Sequence, residues 1–158
     1  MLRNFDMVSG LLYIHDMPFE EKSAWVMGVL AVGTYTGYLI VILGRAGDTP
    51  LAEVSYVAPL LWALGVSIAA SIVIHTLVAT FSPKGARKKD QRDREINRFG
   101  EHIGQSFVVI GGVAALGMAM AELDYFWIAN AVYLAFVLSA ILGSTARIVA
   151  YRRGFQPW

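Results

Sequence analysis

Four long stretches of this chain carry no Asp, Glu, Lys or Arg: 24–43, 54–82, 103–121 and 125–146. A helix crosses the hydrocarbon core of a bilayer in about 20 residues, at 1.5 Å each. One such run could be the buried core helix of a large enzyme. Four of them in 158 residues could not, because too little polar sequence remains to cover them. Hydrophobic residues make up 56% of the chain and charged residues 16%, against about 25% charged in an ordinary soluble domain. Lipid offers the backbone no hydrogen bonds, so each run is expected to be a helix that satisfies its own. The expected fold is all-α integral membrane: four transmembrane helices as two hairpins, with a charged cytoplasmic extension of the third helix. The expected division is a cytoplasmic segment 1–22, one four-helix transmembrane domain over 23–151 that includes a cytoplasmic loop 82–102, and a cytoplasmic tail 152–158.

Orientation follows from the cations. Twelve of the thirteen Lys and Arg fall on one side of a four-span topology. Arg3 and Lys22 precede the first run. Lys84, Arg87, Lys88, Lys89, Arg92, Arg94 and Arg98 lie between the second and third, and Arg147, Arg152 and Arg153 end the fourth. Arg45 stands alone on the other side, with Asp48, Glu53, Glu122 and Asp124. Loops rich in Lys and Arg stay inside, so both termini and the central loop are expected in the cytoplasm. Aromatic residues agree: Trp25 opens the first run on the inner side, while Tyr56, Trp62, Tyr125, Phe126 and Trp127 gather near the outer ends. The links at 45–53 and 122–124 are too short to form a ligand-binding domain, and the second forces an antiparallel hairpin.

The first six residues already carry Arg3 and Asp6, and no small-residue cleavage site follows the first run closely, so that run is expected to be a span and not a signal peptide. Ahead of it, Phe5, Val8, Leu11, Leu12 and Ile14 recur at near-helical spacing before Pro18. Two readings of that segment stand: a short amphipathic helix on the inner membrane surface, or a disordered tail.

The central loop is the most distinctive stretch. Pro83 and Gly85 should end the second helix. Across 82–102 seven cations mix with Asp90, Asp93, Glu95 and Glu101, and Ile96, Phe99 and Ile103 form a helical stripe leading into the third run. One long helix is therefore expected to rise from the cytoplasm into the membrane, with Gly100 and Gly104 allowing a neighbour to come close. The functional reading is a protein-docking surface at Lys89, Asp90, Arg92, Asp93 and Ile96, whose alternating charges suit a complementary partner. The plainer reading is that the cations obey the inner-positive bias and the acids keep the helix soluble. Arg87, Lys88 and Lys89 are expected to meet anionic lipid headgroups. Four interspersed acids speak against direct nucleic-acid binding.

The run Lys89-Asp90-Gln91-Arg92-Asp93, followed by Ile96, Gly100 and Ser106, resembles the K-D-E-R-D-x-x-I-x-x-x-G signature of a family of small, functionally uncharacterised prokaryotic membrane proteins. Members are similar in having four spans with this motif just before the third, and their genes often lie beside one for a small helix-turn-helix regulator. The resemblance covers about twenty residues and the topology. It implies a bacterial inner-membrane protein that sequesters or controls a soluble regulator, and it brings no known activity. Gln91 departs from the usual acid of the motif, and Phe99 from a frequent small residue.

Candidates for chemistry are few. His75 is the one ionisable residue inside a run, and such a residue is a functional hypothesis by default. Read plainly, it is a hydrogen-bonded histidine near the inner interface, since transport sites gather several polar groups at mid-depth. His15 and His102 lack metal-ligand spacing, and the chain has no cysteine, which excludes disulfides and thiol chemistry. No nucleophile elbow, His-Glu-x-x-His or phosphate loop occurs. No catalytic residue, metal or cofactor is assigned, and the chain is not expected to be an enzyme.

The runs offer packing chemistry instead. Gly33 and Gly37 form GxxxG in the first, Gly111 and Gly112 lie in the third, and Gly143 lies in the fourth. Such residues let helices approach closely in lipid, within one chain or between the protomers of a homodimer. Two functions from different classes follow. The first is a regulatory or scaffold membrane protein whose central cytoplasmic helix docks a soluble partner. The alternative is a small oligomeric transporter or channel for a neutral or weakly charged solute, lined by Thr34, Thr36, Ser67, Ser71 and Ser139.

Overall fold

The computed structural model describes residues 19–81 and 91–153. They form four helices, each long and apolar enough to cross a membrane: α1 Phe19–Ala46, α2 Val57–Phe81, α3 Gln91–Met120 and α4 Tyr125–Arg153. At 1.5 Å per residue the shortest is about 38 Å long and the longest about 45 Å, against about 30 Å of hydrocarbon in a bilayer. All four are therefore longer than a hydrocarbon core is thick, and α4 runs seven residues beyond the uncharged run that announced it. The segment before Pro18, the break at Pro83 and Gly85, the cluster Arg87, Lys88 and Lys89, and residues 154–158 lie outside the described residues.

Both tight connections are built by local backbone chemistry. Gly47, at φ 49°, turns the chain out of α1 through the left-handed region, which glycine enters without a steric penalty. Thr49 N–H then donates to Ala46 O at 2.7 Å, and a single 3-10 turn, Leu51–Glu53, leads to α2. At the other link, Glu122 N–H donates to Ala119 O and Leu123 N–H to Met118 O, both at 3.1 Å. That is a Schellman closure with Glu122 at the left-handed position, φ 56°. A side chain there costs roughly 1 kcal/mol. Glu122→Gly is accordingly expected to stabilise the protein by about 0.5–1 kcal/mol, seen as a higher unfolding midpoint in detergent. An unchanged or lower midpoint would contradict the assignment.

The helices pack in the order α2–α1–α4–α3, and every neighbour is antiparallel. The α3–α4 seam is the most extensive of the three, and it is made of small residues. Ile96, Gly100, Gly104, Gly111 and Ala115 form the buried stripe of α3. Facing them on α4 are Ala135, Ser139, Gly143 and Arg147 at four-residue spacing. A Cβ placed on Gly143 would sit 2.9 Å from Gly100 O, and one on Gly104 would sit 3.0 Å from Ser139 O. Only glycine allows that approach, and close packing of this kind is what holds helices together where a lipid surrounding supplies no hydrophobic force between them.

Between α1 and α4 the contact is aromatic. Tyr38, Ile42, Ala46, Phe126, Tyr133 and Val137 form a buried cluster, which Val54 closes from the connecting loop. Tyr38 and Tyr133 meet edge to face at 5.1 Å, and Tyr56 meets Phe126 likewise at 5.2 Å; such pairs add about 0.5–1.5 kcal/mol beyond the burial of area. Tyr38 Oη donates to Asn130 Oδ1 at 2.7 Å, while Asn130 Nδ2 donates to Phe126 O at 2.8 Å. Tyr56 and Phe126 are thus part of the core, whereas Trp62, Tyr125 and Trp127 point outward at the same end, as headgroup anchors would. α2 is held to α1 more lightly, by Ser71 Oγ donating to Met27 Sδ at 3.2 Å, while Arg45 Nη1 donates to Ser55 O, in the segment just before α2, at 3.3 Å.

Candidate functional site

The end of the molecule where α1 and α3 begin and α4 finishes collects the charges. Glu21 is buried, and its Oε1 accepts from Arg152 Nε at 3.1 Å. The same guanidinium lies 5.6 Å from the centre of the Trp25 ring, a cation–π contact. The start of α1 is thereby clasped to the end of α4. Next to it, Tyr151 Oη donates to Asp93 Oδ1 at 3.1 Å, which ties the first turn of α3 to α4. Arg147 crosses over Gly100, its Nε buried without a hydrogen bond.

These contacts sort the expected docking residues. Ile96 is fully buried and Asp93 is engaged with Tyr151, so both face inward. Ile96 is therefore not part of a docking surface: its place on the helical stripe that leads into the uncharged run also places it in the seam. Arg92 is exposed, as are Arg94, Arg98, Glu101 and His102, which sequence reasoning had left out of the surface. Part of their signal was available: on a period of 3.6 residues Arg98 and His102 lie opposite the stripe of Ile96, Gly100 and Gly104, while Arg94 and Glu101 flank it. Lys89 and Asp90 lie outside the described residues.

The small residues also divide. Gly111 and Gly143 stand in the seam, where a Cβ on Gly111 would collide with Ala135. Gly33, Gly37 and Gly112 have nothing within 4 Å of a Cβ position. The first-span GxxxG therefore makes no close helix contact within the described residues. His75 falls in the last two turns of α2, and its side-chain surroundings lie outside the described residues.

The hydroxyls proposed to line a path do not all converge. Thr34, Ser67 and Ser71 border one groove of about 310 Å³ between α1, α2 and α4, together with Met27 and Tyr133. Ser139 sits instead in the α3–α4 seam beside Gly104, and Thr36 is exposed elsewhere on α1. Thr34 and Ser67 spend their protons on their own helix, at Leu30 O and Ala63 O, and Ser71 on Met27. Tyr133 Oη, beside Thr34, is buried and makes no hydrogen bond of regular geometry. The groove thus holds isolated polar spots on apolar walls, with no chain of hydroxyls running along it.

A second groove, about 440 Å³, runs between α1 and α4 on the outer surface, from Trp25 past Gly28, Val29 and Val32 to Gly33. Its other wall is Ile141, Ser144, Thr145 and Ile148. Among the described residues no three His, Cys, Asp or Glu side chains gather as metal ligands would. What the charged end can do chemically is recognise another surface or an anion: it presents fixed guanidinium groups on rigid helices. Compared with known proteins, the chain matches no family model, no curated protein and no solved structure.

Proposed function

We propose that this is a multi-pass protein of the bacterial inner membrane, with its charged end in the cytoplasm, that docks a soluble partner on the start of α3. The resemblance to the small four-span family with the K-D-E-R-D-x-x-I motif belongs to the same proposal, as does a regulator as the partner. One observation carries it: α3 continues unbroken for 30 residues. That is about 15 Å more than a bilayer core needs, and the surplus is the charged turn-and-a-half to three turns around Arg92, Arg94 and Arg98. Ile96, Gly100 and the Tyr151–Asp93 hydrogen bond hold this projection against α4. A surface already fixed in this way loses little side-chain and backbone freedom on binding. Three exposed arginines against Glu101 favour an acidic face on the partner.

The test is to reverse Arg92, Arg94 and Arg98 together to glutamate and measure the partner captured from the native membrane after cross-linking. Exposed charge pairs contribute about 0.2–1 kcal/mol each, so three of them give a loss of roughly tenfold. Helical content and the unfolding midpoint should not move, because none of the three is buried. Undiminished capture by the triple variant would refute the docking surface. Accessibility labelling that found Arg92 and Glu122 on one side of the bilayer would refute the topology.

A further inference from the structure

We propose that the groove between α1 and α4 is a binding site for one anionic phospholipid, with an acyl chain along Gly28–Gly33 and its phosphate at Arg152. Four observations meet there. The groove is open along its length and lined almost wholly by apolar side chains, with Val29, Val32, Ile141 and Ile148 as walls. Its floor is low for a stated reason. Gly28 is so close to α4 that a Cβ there would touch Ser144 Cβ at 3.5 Å, and Gly33 leaves empty space where any other residue would place a side chain. From Trp25 to Gly33 the trough extends about 12 Å along the helix, the scale of an acyl segment and not of a compact solute.

The mouth supplies the charge. Ile141, Thr145, Ile148 and Arg152 follow one another on the same face of α4 at three- and four-residue steps, so Arg152 tops the wall of the groove. Its Nε is committed to Glu21 and its plane rests on Trp25, which fixes the guanidinium at the mouth with about half of the side chain still exposed. The remaining N–H donors form the fork that suits a phosphate. Glu21 offsets part of that charge, while Arg153, Lys22 and Arg147 stand on the same end of the helices. A basic pocket between spans at the inner face is the setting in which anionic headgroups are recognised. The proposal rests on these helices lying in a bilayer with their charged end inward.

The test uses the full chain reconstituted in vesicles of phosphatidylethanolamine and phosphatidylglycerol, then released and weighed by native mass spectrometry to count retained lipid. The wild type should keep one phosphatidylglycerol in preference to phosphatidylethanolamine. Gly33→Leu projects into the trough from a Cβ position with nothing within 4 Å, and is expected to lower retention of either lipid about tenfold at an unchanged unfolding midpoint. Arg152→Gln should keep an acyl chain but lose the preference for the anionic headgroup. Glycerol phosphate without chains should not compete. Equal retention by Gly33→Leu and the wild type, or a wild type indifferent to headgroup charge, would overturn the site. Because lipid is counted after release, the result does not depend on partner docking, and failure of the topology appears separately in the Arg92 and Glu122 labelling.

Discussion

Replacing Gly111 by leucine is expected to part α3 from α4, while the same change one residue later, at Gly112, leaves the protein folded. At Gly111 the first added carbon already overlaps the Ala135 side chain, and Ala135 Cα lies 3.5 Å away. Relief would need movement of a backbone and not of a flexible tip. Overpacking a tight interior costs about 1–3 kcal/mol and occasionally more; here both helices are rigid and the seam is continuous from Gly100 to Ala115, so about 3 kcal/mol or more is expected. Gly112 is rotated 100° away, with nothing within 4 Å of its Cβ position. Leucine there gains up to about 1 kcal/mol of helix propensity over glycine. The comparison is clean because both variants add the same side chain to the same helix at adjacent positions, one buried in the seam and one exposed. Unfolding of each in detergent, followed by helical circular dichroism, gives the difference. Equal midpoints for the two variants would mean that the α3–α4 seam is not where the structure puts it.

The pairing of those glycines shows how much of the molecule was legible beforehand. Four helices could be read from the four uncharged runs, because length and missing charge are properties of one segment at a time. Helix ends were less legible: Arg147, Arg152 and Arg153 mark where a span should leave the lipid, but nothing in a charge stops a helix, and α4 continues through all three. The order α2–α1–α4–α3 was not legible, since it depends on which faces meet. Gly33 and Gly37 have the same spacing as Gly100 and Gly104, yet only the second pair touches another helix closely. The difference lies in what stands opposite, and Ser139 and Gly143 are small where an aromatic or branched residue would have held α4 off. Likewise Tyr38 and Asn130, 92 positions apart, look like ordinary span residues until the fold brings them together. Asn130 was the available hint, being the one amide in the fourth uncharged run, and an amide in lipid needs a partner. At the charged end, Glu21 was readable as an acid that suits a helix start, but its burial under Arg152 comes from the meeting of the start of α1 with the end of α4.

Ile96→Ala is expected to destabilise the protein by about 2–4 kcal/mol, although the residue sits beside the exposed arginines of the docking surface. Ile96 is the only large side chain among the described residues that is completely buried. It lies one turn before Gly100 on the same stripe, so removing three carbons leaves a void where α3 begins to lean on α4. That contact also fixes Arg92, Arg94 and Arg98, and partner capture should fall together with stability. Two outcomes therefore have to be told apart: loss of a contact with the partner and loss of the support beneath it. A substitution of similar volume separates them, since Ile96→Leu costs less than about 1.5 kcal/mol when the core repacks. If Ile96 acts as support, leucine restores both the unfolding midpoint and capture, and hydrogen exchange over the first turns of α3 speeds up in the alanine variant alone. The arginine triple variant should show the opposite pattern, lost capture on an intact helix. Lost capture in Ile96→Ala at an unchanged midpoint would place this side chain on the surface after all. The rigid projection from α3 that carries the docking proposal would then have no support beneath it.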